Sequence, residues 1–335
     1  MAKILVTGAG GFIGSFIVEK ALSEGYETWA GIRASTNREY LQNKNIRFIN
    51  LDYFNPEKLI QQLKVLKLNG EKWDYIIHNV GVTKSIYSKD FDRFNYGIVK
   101  NFVMALIKTQ MVPTCFVLMS SLSAWGAGNE EGFVPVKQTD KPHPESLYGK
   151  SKLKAEGYLQ SIPNFSYIIL RPTGVYGPRE KDYFLMMKSI RYGIDFVPGS
   201  QRQMLSFIYV KDLVNVIFSA IKKGEYRKAY FVSDGKEYSS EDFRRYVANA
   251  LGKKQVLQVK VPLFLLKIFA YLSQAMAGII GKSSTLNPDK YRIIKQRNWL
   301  CDITPLQQEL HFVPEYDLEK GITETIKWYK ENGWL

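Results

Sequence analysis

Tyr148 and Lys152 stand four residues apart in Tyr148-Gly-Lys-Ser-Lys152, a spacing that puts a phenol and an ammonium on one face of a helix. A cation beside a phenol favours the phenolate. The spacing therefore predicts a tyrosine whose pKa is lowered enough to trade a proton with a substrate hydroxyl or carbonyl. Tyr-x-x-x-Lys also occurs at Tyr40, Tyr96, Tyr291 and Tyr316, so context must choose. It selects Tyr148, which follows an apolar run, Cys115 to Met119, ending in Ser120-Ser121-Leu122-Ser123. In a doubly wound sheet ligands bind at the carboxyl ends of strands. Ser121 there reads either as a holder of a substrate oxygen or as an ordinary strand-end cap.

A second constellation opens the chain. Lys3-Ile-Leu-Val-Thr-Gly-Ala-Gly-Gly-Phe-Ile-Gly-Ser15 runs from a short apolar strand through Gly8, Gly11 and Gly14 into helix-forming residues. Such a turn bends tightly, lets the main chain approach a pyrophosphate and packs helix against strand, while the helix N-terminus offers unpaired N–H groups to the anion. The expected ligand is a dinucleotide cofactor, held by Gly8, Gly11, Gly14 and the intervening Phe12 and Ile13.

These residues need a scaffold, and the apolar runs supply it. Strand-like segments at Ile4 to Val6, Glu27 to Ile32, Ile46 to Leu51, Tyr75 to His78, Cys115 to Met119 and Tyr167 to Leu170 alternate with helical ones, with late strands at Ser206 to Val210 and Ala229 to Val232. This predicts an α/β fold, a doubly wound parallel (Rossmann) sheet with a smaller, mostly helical C-terminal substrate domain. Residues 1–174 and 205–233 are expected to form the dinucleotide-binding domain, and 175–204 and 234–335 the substrate-binding domain. Leu318 to Tyr329 reads as an amphipathic helix.

Composition narrows the partners. With 335 residues the chain can bury a full core, and two cysteines, Cys115 and Cys301, fit a reducing compartment rather than a disulfide framework. Three scattered histidines argue against a metal centre. The first strand begins at once, so no signal peptide is read and a cytoplasmic location is expected. The net charge of +14 is dispersed, which disfavours nucleic acid. Val261 to Gly281 is nearly all apolar, close to the ~20 residues of a bilayer span, but Pro262, Lys267, Ser273 and Gln274 interrupt it. The favoured reading is a buried helix pair walling a substrate pocket; shallow peripheral membrane contact is the alternative.

Taken in order, the motifs resemble the extended short-chain dehydrogenase/reductase family, its epimerase/dehydratase group. Thr7-Gly8-x-x-Gly11-x-x-Gly14 is similar to the family's cofactor turn, Asp52 to its adenine contact, and Ile77-His78-Asn79-Val80-Gly81 to its fourth-strand signature. Ser121, five residues before Gly126 of Trp125-Gly126, resembles the catalytic serine, and Tyr148 with Lys152 the catalytic pair. Asn95 is similar to the family's helix asparagine, Arg171-Pro172-Thr-Gly-Val-Tyr-Gly-Pro178 to its post-strand loop and Phe207-Ile-Tyr-Val-Lys-Asp212 to its late strand-to-helix segment. The resemblance implies cofactor contacts at Asn79, Val80, Gly81, Asn95, Tyr148, Lys152 and Pro172. It also implies a homodimer, and hydride exchange between nicotinamide and a carbinol carbon. In that scheme Tyr148 moves the hydroxyl proton, Ser121 positions the oxygen, and Lys152 holds the ribose and biases the tyrosine.

Departures from the pattern bear on cofactor and substrate. Ile32 ends the second strand where an NAD-type acid would fall, and Arg33 follows, so NADP is favoured with NAD the alternative. Leu205 stands where sugar-nucleotide epimerases usually carry a diphosphate-clamping arginine; Arg202, Arg292 and Arg297 are the candidate substitutes. Together with the apolar 261–281 stretch, this resembles the hydroxysteroid-dehydrogenase and dihydroflavonol-reductase branch. The expected activity is NAD(P)-dependent oxidoreduction of a secondary alcohol or ketone on an apolar or lipid-like small molecule. The alternative is a nucleotide-sugar epimerase or dehydratase with tightly bound NAD, the dehydratase being disfavoured by Leu122-Ser123 after Ser121.

Overall fold

The computed structural model describes residues 1–281 and 283–335. Its centre is a seven-stranded sheet built from β1 (Lys3–Thr7), β2 (Glu27–Gly31), β3 (Arg47–Ile49), β4 (Tyr75–His78), β5 (Cys115–Met119), β6 (Tyr167–Pro172) and, last in the chain, β11 (Lys228–Val232). The spatial order is β11-β6-β5-β4-β1-β2-β3 and every pairing is parallel. Because successive side chains point to opposite faces, Ile4 and Val6 enter one core while Leu5 enters the other. Helices α1 (Phe12–Ser23) and α7 (Val210–Lys223) cover the first face. Helix α2 (Pro56–Leu68), α4 (Ile98–Thr109) and α5 (Leu147–Ser161) cover the second, with short α3 (Lys89–Phe91) leading through a π-helical stretch, Asp92–Gly97, into α4. The order of strands reverses at β1, which lies between β4 and β2, and this switch point is where ligands enter such sheets.

The remainder builds the smaller region. β7 (Gly174–Tyr176) pairs with β10 (Phe207–Tyr209), so the expected late strand at 206–210 belongs to a separate ribbon rather than to the main sheet. β8 (Ile194–Pro198) follows α6 (Asp182–Arg191) and pairs with β13 (Leu257–Val261); β9 (Met204–Leu205) lies between β12 (Tyr238–Ser239) and β14 (Asn298–Trp299). Around them lie α8 (Ser240–Leu251), α9 (Leu263–Ile280), α10 (Pro288–Ile294) and α12 (Leu318–Glu331), while α11 (Thr304–Leu310) packs on β11 and α7.

Two expectations are corrected. The 261–281 stretch is one helix and not a buried pair: only 11% of α9 is buried, and Phe264, Ile268, Phe269, Leu272 and Met276 are exposed. Hydropathy registers that residues are apolar but not which surface they meet. The segment from Cys301 also crosses the expected domain boundary, because Cys301, Ile303 and Leu306 pack in the same cluster as Ile4 and Val6.

Candidate active site

Gly8 follows β1 with φ of +67°, a left-handed conformation that costs glycine nothing. A Cβ there would lie 3.0 Å from the Val80 main chain, and one on Gly14 would lie 2.2 Å from the Gly8 carbonyl oxygen. The turn is thus as tight as a phosphate cradle requires. No side chain caps the α1 N-terminus, whose N-cap is Gly11, and no acidic residue sits in its first turn. Those free N–H groups and the helix dipole suit an anion. Thr7 fastens the turn to the neighbouring strand end: its hydroxyl lies 3.2 Å from His78 Nδ1 and accepts from the Val80 N–H at 3.3 Å.

The loop after β4 brings the second group of residues beside the first. Asn95 is buried, its Oδ1 accepting from Val82 N–H at 2.8 Å and its amide donating to Val82 O at 3.0 Å and Ser151 Oγ at 2.9 Å. A Cβ on Gly81 would fall 2.8 Å from Asn95 Oδ1 and 3.2 Å from Lys152 Nζ, so only glycine leaves room there. Lys152 is buried and donates to the Met119 carbonyl at 2.7 Å, which aims its ammonium at the end of β5. Ser121 follows β5 and serves as a cap after all, accepting from Ser123 N–H at 3.1 Å, while its hydroxyl also lies against the Tyr148 phenol. Ser121, Tyr148, Lys152, Asn95 and Gly81 converge.

The electrostatics differ from the expectation. Burial pushes the Tyr148 phenol up to about 12 and outweighs the downward pull of the Ser121 hydroxyl. Lys152 Nζ lies 6.0 Å from the Tyr148 ring centre, and burial pushes the lysine itself down to about 8 against the opposing pull of Glu156. The predicted lowering of the tyrosine pKa by its neighbour is therefore not present in the protein alone: desolvation penalises both charged forms at once.

Two positioning elements escaped the sequence. Ser146 caps α5 by accepting from Gly149 N–H at 3.0 Å, and Asp289, 142 residues downstream on α10, accepts from Leu147 N–H at 2.6 Å and Tyr148 N–H at 3.1 Å. Behind the pair, buried Glu156 accepts from Arg171 Nε at 3.0 Å and Nη2 at 2.7 Å and from the Ser120 hydroxyl, while the guanidinium lies 3.7 Å from the Trp125 ring centre. Nothing in a linear pattern pairs Asp289 with position 148. Glu156 does stand four residues after Lys152, a signal that was available.

The remaining candidates flank this centre. Arg33 is exposed after β2, where its N–H donates to Thr36 Oγ1 at 3.0 Å, and a Cβ on Gly10 would strike Thr36, so this loop lies against the glycine turn. Asp52, beyond β3, is paired with Lys58 at 3.2 Å. Pro172 is buried at the end of β6 opposite Val232, and Phe12 and Ile13 are half-buried at the start of α1.

The pattern of the NAD dependent epimerase/dehydratase family matches residues 4–232. The chain belongs to that family. As an epimerase/dehydratase family member it is an NAD-dependent enzyme of the extended short-chain dehydrogenase/reductase type, acting on a small molecule. Among its relatives, UDP-glucose 4-epimerase of Vibrio cholerae is 27% identical over 334 residues, 97% of this chain and 94% of that protein. Sterol-4-alpha-carboxylate 3-dehydrogenase, decarboxylating, of Dictyostelium discoideum is 23% identical over 332 residues, 88% of this chain and 95% of that one. In three dimensions, dTDP-glucose 4,6-dehydratase from Bacillus anthracis, solved with NAD, is similar in fold with a TM-score of 0.76 at 19% identity, covering 100% of this chain and 98% of that one.

Proposed function

We propose that this family member oxidises or reduces a secondary alcohol or ketone on an apolar small molecule, with NADP preferred over NAD. The glycine turn would hold the pyrophosphate of the cofactor, whose nicotinamide would supply or accept hydride. Tyr148 carries the hydroxyl proton, Ser121 holds the substrate oxygen, and Lys152 donates to the cofactor ribose. A cationic lysine near the bound phenol then opposes the desolvation that raises the tyrosine pKa. The supporting observation for the substrate class is the state of the guanidiniums. Leu205 takes the clamp position, Arg297 is held by Glu130 at 2.7 Å and Arg292 by Asp289 at 3.2 Å, leaving exposed Arg202. For NADP the support is Ile32 in place of an acid with exposed Arg33 beside the turn. Buried thiols at Cys115 and Cys301 favour the cytoplasm, and a homodimer is the assembly we expect from the family resemblance.

A second reading, nucleotide-sugar epimerisation, is favoured by the near full-length similarity to the Vibrio cholerae enzyme. Titrating both cofactors and assaying hydroxysteroid-type alcohols beside UDP-sugars separates the two. Tighter NADP binding with turnover of the apolar alcohol is expected. NAD that survives purification, with turnover of the UDP-sugar alone, overturns the proposal. Tyr148→Phe should bind cofactor normally and lose about 10²–10⁴-fold in turnover.

A further inference from the structure

Helix α9 is built inside out. Its small residues Ala270 and Ala277 are the ones packed against the protein, whereas Phe264, Ile268, Leu272 and Met276, at four-residue spacing, form a large apolar stripe facing away from it. Ile279 is 87% exposed, and the adjoining ribbon adds exposed Phe196 on β8 and Leu257 on β13. A helix in water buries its large apolar side chains; this one presents them. We propose that α9 lies in the surface of an anionic bilayer and docks the enzyme there as a monotopic protein.

Charge selects the occupant. Between Asp242 and Asp289 the chain carries no acidic residue and seven lysines or arginines, in a protein of net charge +14. Lys253, Lys254, Lys260 and Lys267 are exposed around the apolar stripe. This combination matches acyl chains beneath anionic headgroups. It opposes a second copy of the same face, which would bring exposed Lys253, Lys254, Lys260 and Lys267 against the same four lysines.

The helix lies on the membrane rather than across it. Eighteen residues rise about 27 Å, short of the ~30 Å hydrocarbon core. Along its length α9 is also tied to the folded domain: Gln274 donates to Ile86 O at 2.6 Å and Ser273 hydrogen-bonds Ser284. Through the 82–88 loop and α10 these contacts tie the inner side of α9 to the segments that carry Gly81 and that hold the Tyr148 N–H. The docking does not depend on the substrate assignment, since it involves no turnover.

The test is flotation of the full chain with vesicles of phosphatidylglycerol and phosphatidylcholine, compared with phosphatidylcholine alone. Binding to the mixed vesicles is expected, weakened by salt, and at least about tenfold weaker in Ile268→Glu/Leu272→Glu. Because both native cysteines are buried, an environment-sensitive fluorophore on Ile279→Cys reports insertion as a blue shift on adding the same vesicles. Unchanged thermal unfolding of the double variant shows that it folds. The proposal fails if the wild type stays unbound at every phosphatidylglycerol content, or if the double variant floats like the wild type. It also fails if the wild type forms a dimer that the double variant dissolves while neither binds vesicles.

Discussion

Lys152 is pulled two ways, by burial that strips its proton and by Glu156 that keeps it, and the balance lies near pH 8. Two pH dependences of opposite sign follow. The ammonium is the form that donates to a cofactor, so cofactor affinity should fall above about pH 8 in the wild type and stay flat in Lys152→Met, measured by fluorescence titration. Stability runs the other way: between about 8 and the ordinary 10.5 the unfolded chain binds the proton and the folded chain does not, so stability from this group rises with pH across that window. His78 provides a separate check. Burial, with a lesser push from Lys152, drives it down to about 3, so it stays neutral in the fold while the unfolded chain is protonated below 6.5. Its contribution is lost as pH falls from 6.5 towards 3, and acid unfolding of His78→Asn should show a shallower loss over that range. That Tyr148, Lys152 and Ser121 come together was legible because spacing and strand-end position are local. The direction of the tyrosine shift was not, because a four-residue spacing records charge but not the depth at which it is buried.

At the scale of elements, helix α5, which carries Tyr148, starts where a distant carboxylate allows it to. Asp289 satisfies two of the N–H groups that α5 cannot bond internally, and its own helix α10 is capped in turn by Asn287. Asp289→Ala should lower stability by about 1–3 kcal/mol in denaturant unfolding and reduce turnover. Asp289→Asn, which keeps an acceptor oxygen, should recover part of both. A stability unchanged by Asp289→Ala would remove the residue from any positioning role. The main-sheet strands were readable because buried parallel strands are continuous apolar runs, Cys115–Met119 being buried throughout. Helix α9 was misread by the same logic, since an apolar run looks alike whether it meets a core or a bilayer.

For the whole molecule, the decisive fact is that the chain does not finish its domains in sequence. The family match ends at residue 232, yet Cys301, Ile303 and Leu306 pack with Ile4, Val6 and Ile17, and α11 rests on β11 and α7. A chain truncated after Leu300 should therefore lose the cooperative unfolding of the full protein and expose apolar surface, read as dye binding and early aggregation. A truncated chain that unfolds like the intact one would contradict this. For synthesis the arrangement has a cost. As the ribosome extrudes the chain, the amino-terminal half waits for its closing wedge until residues 301–310 have been translated, and a holdase would have a long window on this nascent protein at the face of the sheet that α11 later covers.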